Sequence, residues 1–299
     1  MTGLERHAHR RALWMVAGCA ALWSLNGPLI KTLTAEPYAV PGVAIALWRS
    51  AIAALALLPF ARGGLSHVPR TGWWVPAVLS FAAMCGCFVT ANQHTEAANA
   101  IVIQYMAPFW IFLLSPLLLG ERPRRNDWLV LPVAMAGIGI IFCMQFDQAG
   151  LGLMLGLASG VAFAFVMLSF RRLRDADPLA APLIANAGTA ILLVPAALMQ
   201  FGTIPLPNGA GAWGWLAVLG VVQMAAPYWL LAHALRHVTA SEASLITLSE
   251  LLLNPTWTFL WIGERPKSST LAGGALIIAA LLLKNRLDRR AEASSRVRP

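Results

Sequence analysis

The chain has 299 residues, of which 58% are hydrophobic and only 12% charged. A soluble domain carries about 25% charged residues, so the composition excludes an ordinary soluble domain and points to a protein dissolved in lipid. The net charge of +9 would suit nucleic acid, but the basic residues lie in short segments between apolar runs; no nucleic-acid partner is expected.

A hydrocarbon core of about 30 Å needs roughly 20 helical residues. In chain order the sequence offers ten such runs: 11–32, 42–61, 71–91, 97–118, 126–144, 150–170, 178–200, 211–233, 241–261 and 270–287. The first begins with His9-Arg10-Arg11, and Ala35 resembles a cleavage position. Its length and the intervening Lys31 argue for a retained helix over a cleaved signal peptide. Pro41, Pro69, Pro123, Pro178, Pro207 and Pro266 lie at or near run ends.

Taking alternate connecting segments as the two sides, 18 of the 22 Lys and Arg fall on the side of the N-terminus. Three (Lys31, Arg265, Lys267) fall on the other, and Arg49 lies inside a run. The positive-inside rule then puts both termini in the cytoplasm.

Two stretches repeat. Gly120-Glu121-Arg122-Pro123 ends the fourth run and Gly263-Glu264-Arg265-Pro266 ends the ninth, 143 residues later. With five runs per half the second half enters from the opposite side, an inverted-topology repeat. The expected architecture is an all-α membrane protein of ten transmembrane helices arranged 5+5. Residues 1–147 form the first repeat, 148–288 the second, and 289–299 a cytoplasmic tail. The two four-residue motifs read chiefly as helix stops, with glycine taking the left-handed position and proline preventing continuation.

These features, together with Ala21-Leu22-Trp23-Ser24 in the first helix and Arg49-Ser50 in the second, resemble the EamA family of the drug/metabolite transporter superfamily over nearly the whole chain. Within that family the likeness leans to the YddG-type exporters of aromatic and other neutral amino acids. The same motifs suit sister exporters of threonine, homoserine or cysteine-pathway compounds. The resemblance implies a bacterial inner-membrane exporter with a central cavity between its halves, a small-molecule substrate and no cofactor.

Arg49 lies inside the second run, and a deep arginine is costly enough to be a functional candidate. Glu250 is the single carboxylate deep in a run. Thr247, Glu250, Asn254 and Trp257 follow spacing that places them on one helical face. Depth alone would let Glu250 reach Arg49 as a buried ion pair, with a structural, gating or proton-carrying role. The repeat partners of Thr247 and Glu250 are Gln104 and Ala107, so the site must be asymmetric. Pro108, Pro227 and Pro255 fall mid-run and free backbone carbonyls on the preceding turn; they mark either interrupted helices or static kinks. Trp23, Trp48, Tyr105, Trp110, Phe163 and Tyr228 either wall an apolar cavity or simply pack. The candidate cavity residues are therefore Trp23, Asn26, Arg49, Gln104, Tyr105, Phe163, Tyr228, Thr247, Glu250 and Asn254.

The remaining features read as structural. Gly152, Gly156 and Gly160 recur every four residues and suit close helix contact, between halves or between protomers of a homodimer. The four cysteines read as small buried hydrophobes; Cys85 and Cys87 point about 200° apart on a helix and cannot share a metal. His94 ends the third run as an interfacial polar residue. No His-Glu-x-x-His, Gly-x-Ser-x-Gly or phosphate-binding loop is present, which argues against an intramembrane enzyme and against direct use of ATP. The expectation is alternating-access export, facilitative, with proton exchange through Glu250 as its rival. A channel or lipid flippase remains as the other class.

Overall fold

The computed structural model describes residues 3–61, 69–121, 125–145, 150–263, 265 and 267–297. Among these, all regular secondary structure is helical. The first half holds α1 (Gly3–Trp23), α2 (Asn26–Thr34), α3 (Gly42–Ala61), α4 (Trp74–His94), α5 (Ala97–Gln104), α6 (Ala107–Leu118) and α7 (Arg125–Gln145). The second holds α8 (Gly150–Arg172), α9 (Ala180–Phe201), α10 (Gly209–Val218), a π-helical segment (Leu219–Ala225), α11 (Ala226–Ala234), α12 (Ala240–Thr247), α13 (Glu250–Ile262) and α14 (Ser268–Val297).

Every one of the ten runs is helical. Among the described residues seven helical regions are long and apolar enough to cross a membrane, Trp128–Ile140 and Leu271–Ala280 are shorter apolar helices, and the ninth run is divided between α12 and α13. Apolar side chains are also displayed outward, among them Met199 (89% exposed) and Leu117 (77%), which only a lipid solvent makes inexpensive. The last helix runs on through the segment expected as a tail, to Val297.

The breaks within the runs have local causes. Pro28 has no N–H for the Ser24 carbonyl, and α1 gives way to α2 at Ser24-Leu25. Pro108 likewise frees the Gln104 carbonyl, and α5 gives way to α6 at Tyr105-Met106. Pro227 frees the Gln223 carbonyl, and the π-helical turn sits there, a common accommodation of a lost bond. The break between α12 and α13 differs. Pro255, expected to interrupt this region, lies inside α13. The chain parts earlier, at Leu248-Ser249, through a tight turn in which Leu251 N–H bonds Leu248 O and Leu252 N–H bonds Ser249 O, both at 3.1 Å.

That turn falls 143 residues after the turn between α5 and α6, the same offset as the two glycine stops. Both stops are left-handed, Gly120 at φ 69° and Gly263 at φ 79°, conformations that glycine adopts without penalty. Arg122, Pro123, Glu264 and Pro266 lie outside the described residues. Helix pairings are reciprocal as well. The fourth helix lies along α8 as α1 lies along α11, α3 packs on α9, and α7 packs on α14.

The Gly152, Gly156 and Gly160 stripe is a contact between halves. A Cβ added at Gly160 would stand 2.8 Å from the Gln104 carbonyl oxygen and 3.2 Å from its Cα, and one at Gly156 would meet Ile103 at 3.3 Å. These glycines let α8 press against α5, immediately beside the α5–α6 break. Of the cysteines, Cys19 and Cys85 are buried as expected; Cys87 is half-buried and Cys143 is exposed, because its face of α7 turns away from the bundle.

Candidate functional site

Four half-helix ends and the π-helical segment converge on one small cavity of about 30 Å³, room for a water or two. Trp23 closes α1, Asn26 opens α2, Gln104 closes α5 and Glu250 opens α13; all four side chains line the cavity. Glu250 thereby sits at a helix N-terminus, the end that favours negative charge. Arg49 projects from α3, Phe163 from α8 and Tyr228 from α11 into the same space. Seven of the ten candidates thus share one cavity.

The other three lie behind it. Tyr105 is fully buried and donates its hydroxyl hydrogen to Glu250 Oε2 at 2.5 Å. Thr247 donates to Ser244 O at 2.9 Å; it ends α12, so the expected single stripe through Thr247, Glu250, Asn254 and Trp257 is cut by the helix break. Asn254 is buried against the α1–α2 break, where a Cβ on Gly27 would stand 2.7 Å from its Oδ1, and neither of its amide atoms has a hydrogen-bond partner among the described residues. Trp257 is 38% exposed and reaches back to donate its indole N–H to Ser24 Oγ at 3.0 Å.

The ion pair suggested by depth does not form. Arg49 donates through Nη1 to Asn26 Oδ1 at 3.2 Å, while Glu250 takes the Tyr105 hydroxyl. Both charged groups are almost fully buried, at 2% and 4% exposure, and each is held by a neutral partner. Gln104 is fixed in turn by donating Nε2–H to Ser159 Oγ at 2.6 Å, and Ser159 donates to Met84 O.

An aromatic cluster backs the polar groups. The Trp23 ring lies 5.5 Å from Phe163 and 4.8 Å from Tyr228, and Tyr228 lies 4.6 Å from Phe81. Trp48 is not part of it; its indole N–H bonds Pro205 O at one end of the molecule and its ring meets Trp213. Trp110 does not line the cavity either; its ring meets Phe109.

Four lining residues have no counterpart among the candidates: Met84 and Phe88 on α4, and Gln223 and Met224 in the π-helical segment. Met84 and Phe88 are apolar residues in an apolar run and carry no signal. Gln223 did carry one, as a lone amide four residues before a mid-run proline.

The halves are tied to each other by Glu121 at one end and by Lys267–Glu96 at the other, with further bonds bracing each tie within a half. At one end Glu121 meets Arg171 at 2.5 Å and Arg174 at 3.4 Å, Arg171 also bonds Leu235 O, and Arg236 bonds Arg174 O and Ala176 O. At the other, Lys267 meets Glu96 at 3.0 Å and Lys31 bonds Thr95 O. The cavity lies between these two closures.

Comparison with known proteins agrees with this arrangement. The model of the EamA-like transporter family matches twice, over residues 10–143 and 150–286. The chain is 30% identical to a probable terminal-alkyne amino-acid exporter of Streptantibioticus cattleyicolor, over 95% of this chain and 97% of that one. It is 28% identical to the pseudopaline exporter CntI of Pseudomonas aeruginosa, over 88% and 92%. A solved crystal structure superposes with a TM-score of 0.74 at 18% identity, covering 94% of this chain and 98% of that one, a likeness of fold. Both of these relatives are named as exporters. The chain is a multi-pass membrane transporter that belongs to the EamA-like transporter family.

Proposed function

We propose that this transporter exports small neutral, chiefly aromatic, amino acids or related metabolites across a bacterial inner membrane by alternating access. In this reading ten helices cross the bilayer as inverted halves, 1–147 and 148–288, with both termini and the 289–299 segment cytoplasmic. The observation that carries it is the matched pair of helix breaks, at Tyr105-Met106 and Leu248-Ser249, opening onto one cavity with buried polar groups. Discontinuous helices at equivalent places in two halves are where carriers bind cargo.

The Arg171–Glu121 network then closes the cytoplasmic end and Lys267–Glu96 the external end. With both closed, the cavity is an occluded resting space that must widen at one end to admit cargo. Trp23, Phe163 and Tyr228 supply the apolar wall, which favours cargo with a bulky side chain. Support for an amino-acid cargo also comes from the relative named as an amino-acid exporter. In this reading export runs down the cargo's own gradient, and proton exchange through Glu250 is the rival.

Uptake of radiolabelled tryptophan, phenylalanine and threonine into proteoliposomes tests this. The expected result is saturable uptake, mutual inhibition, and no accumulation when a pH gradient is imposed. Flux that rises linearly with concentration would favour a channel.

A further inference from the structure

The cavity holds one buried guanidinium, Arg49, and one buried carboxyl group, Glu250, that do not pair with each other. Arg49 spends Nη1 on Asn26, and its Nε–H has no partner among the described residues. Glu250 spends Oε2 on Tyr105, its one hydrogen-bond partner among the described residues. Two further cavity-lining residues carry a buried polar atom with no partner among the described residues: the Trp23 indole N–H, a donor, and Gln223 Oε1, an acceptor. Buried polar atoms of this kind are rare and call for an explanation. The orphans include both kinds: donors on Arg49 and Trp23, and an acceptor on Gln223, which lines the same cavity as Glu250.

We infer that the cavity is a clamp for a zwitterion, with the Arg49 guanidinium and Trp23 N–H taking the cargo's α-carboxylate, and the Glu250 carboxylate and Gln223 Oε1 taking its α-ammonium. This rests on the carrier reading above and adds to it which side chains take each end of the cargo. The Arg49 side supplies what a carboxylate needs, a fixed planar donor fork. The Glu250 side supplies only acceptors, as an ammonium with three N–H groups requires. The pocket's own formal charges cancel, so a net-neutral zwitterion leaves no uncompensated charge inside the bilayer. A cargo carrying only one charge leaves the opposite pocket charge unpaired in a dry site. The neutral partners Asn26 and Tyr105 keep the two charges apart and orient them when the cavity is empty.

The test is competition against labelled tryptophan uptake in proteoliposomes of the unaltered protein. Two competitors share the indole ring: tryptamine lacks the carboxylate and indole-3-propionate lacks the ammonium. Each is expected to inhibit at least about tenfold more weakly than tryptophan, since each forfeits charge-assisted hydrogen bonds. As a second measurement, Glu250→Gln should narrow the gap for indole-3-propionate alone, and Arg49→Gln that for tryptamine alone. The unaltered protein decides even where a variant fails to fold. Inhibition by either analogue as strong as that by tryptophan overturns the clamp and leaves saturable carriage standing. Absence of saturable tryptophan uptake removes aromatic amino acids as the cargo, and the clamp with them.

Discussion

The Tyr105 hydroxyl reaches across from the first half of the chain to Glu250 Oε2 in the second, at 2.5 Å. The bond joins the two helix breaks, because Tyr105 is the residue at which α5 ends and Glu250 is the first residue of α13. A movement of one half against the other must strain or remake it. Tyr105→Phe removes the donor and leaves a buried carboxylate without its partner, which costs about 1–3 kcal/mol. The expected outcome is a lowered thermal unfolding midpoint in detergent together with slower transport. An unchanged midpoint and rate would separate this bond from both stability and carriage.

Contact between the halves beside the site depends on Gly160. Gly160→Ala would put a methyl group 2.8 Å from the Gln104 carbonyl oxygen, against backbone that has nowhere to go. Overpacking of this kind costs about 1–3 kcal/mol, and the displaced Gln104 would reduce transport. Gly214→Ala in α10 is the control, since nothing lies within 4 Å of the added Cβ. It should be neutral or stabilising by up to about 1 kcal/mol, the helix-propensity difference. Unfolding midpoints of the two variants check the contrast.

Much of the architecture is legible in the sequence, for reasons that individual residues make plain. The runs 42–61 and 97–118 match the helices Gly42–Ala61 and Ala97–Leu118 to the residue, because length and hydropathy alone fix a helix in lipid. Gly120 and Gly263 announce helix ends, since few other residues suit a left-handed stop. The break at Leu248-Ser249 is silent: Leu251 stands where the repeat has Pro108, so no proline marks it. It is visible only through the repeat, which carries the α5–α6 break to the same offset. Partner choice is silent too. Depth brings Arg49 and Glu250 together, but Asn26 at the start of α2 and Tyr105 at the end of α5 intercept them. That competition is decided by where the half-helices end, which composition does not encode.

The two closures should differ in strength. The Arg171 and Glu121 side chains are 10% and 18% exposed, against 39% and 36% for Lys267 and Glu96. Exposed pairs are worth about 0–1 kcal/mol, whereas partial burial and the shared Arg174 make Glu121 the stronger tie. Glu121→Gln should therefore shift the population toward a cytoplasm-open form more than Glu96→Gln shifts it outward. Thiol labelling of a cysteine placed at Met84 on the cavity wall, from either side of oriented vesicles, would show it. Equal effects would mean that neither pair sets the resting state.

The topology has its own check. With the four native cysteines replaced by alanine, Asn208→Cys should react with a membrane-impermeant maleimide in intact cells. Asp175→Cys should react only after permeabilisation; both positions are exposed at helix connections. The reverse pattern would invert the orientation assigned from the distribution of Lys and Arg.

Alternating access is the central claim, and counterflow tests it most directly. Proteoliposomes preloaded with unlabelled tryptophan should take up labelled tryptophan faster than empty ones, and transiently above equilibrium, because a loaded carrier returns through its occluded state more readily than an empty one. Equal rates into loaded and empty vesicles, with no overshoot, would contradict the account and point to a pore.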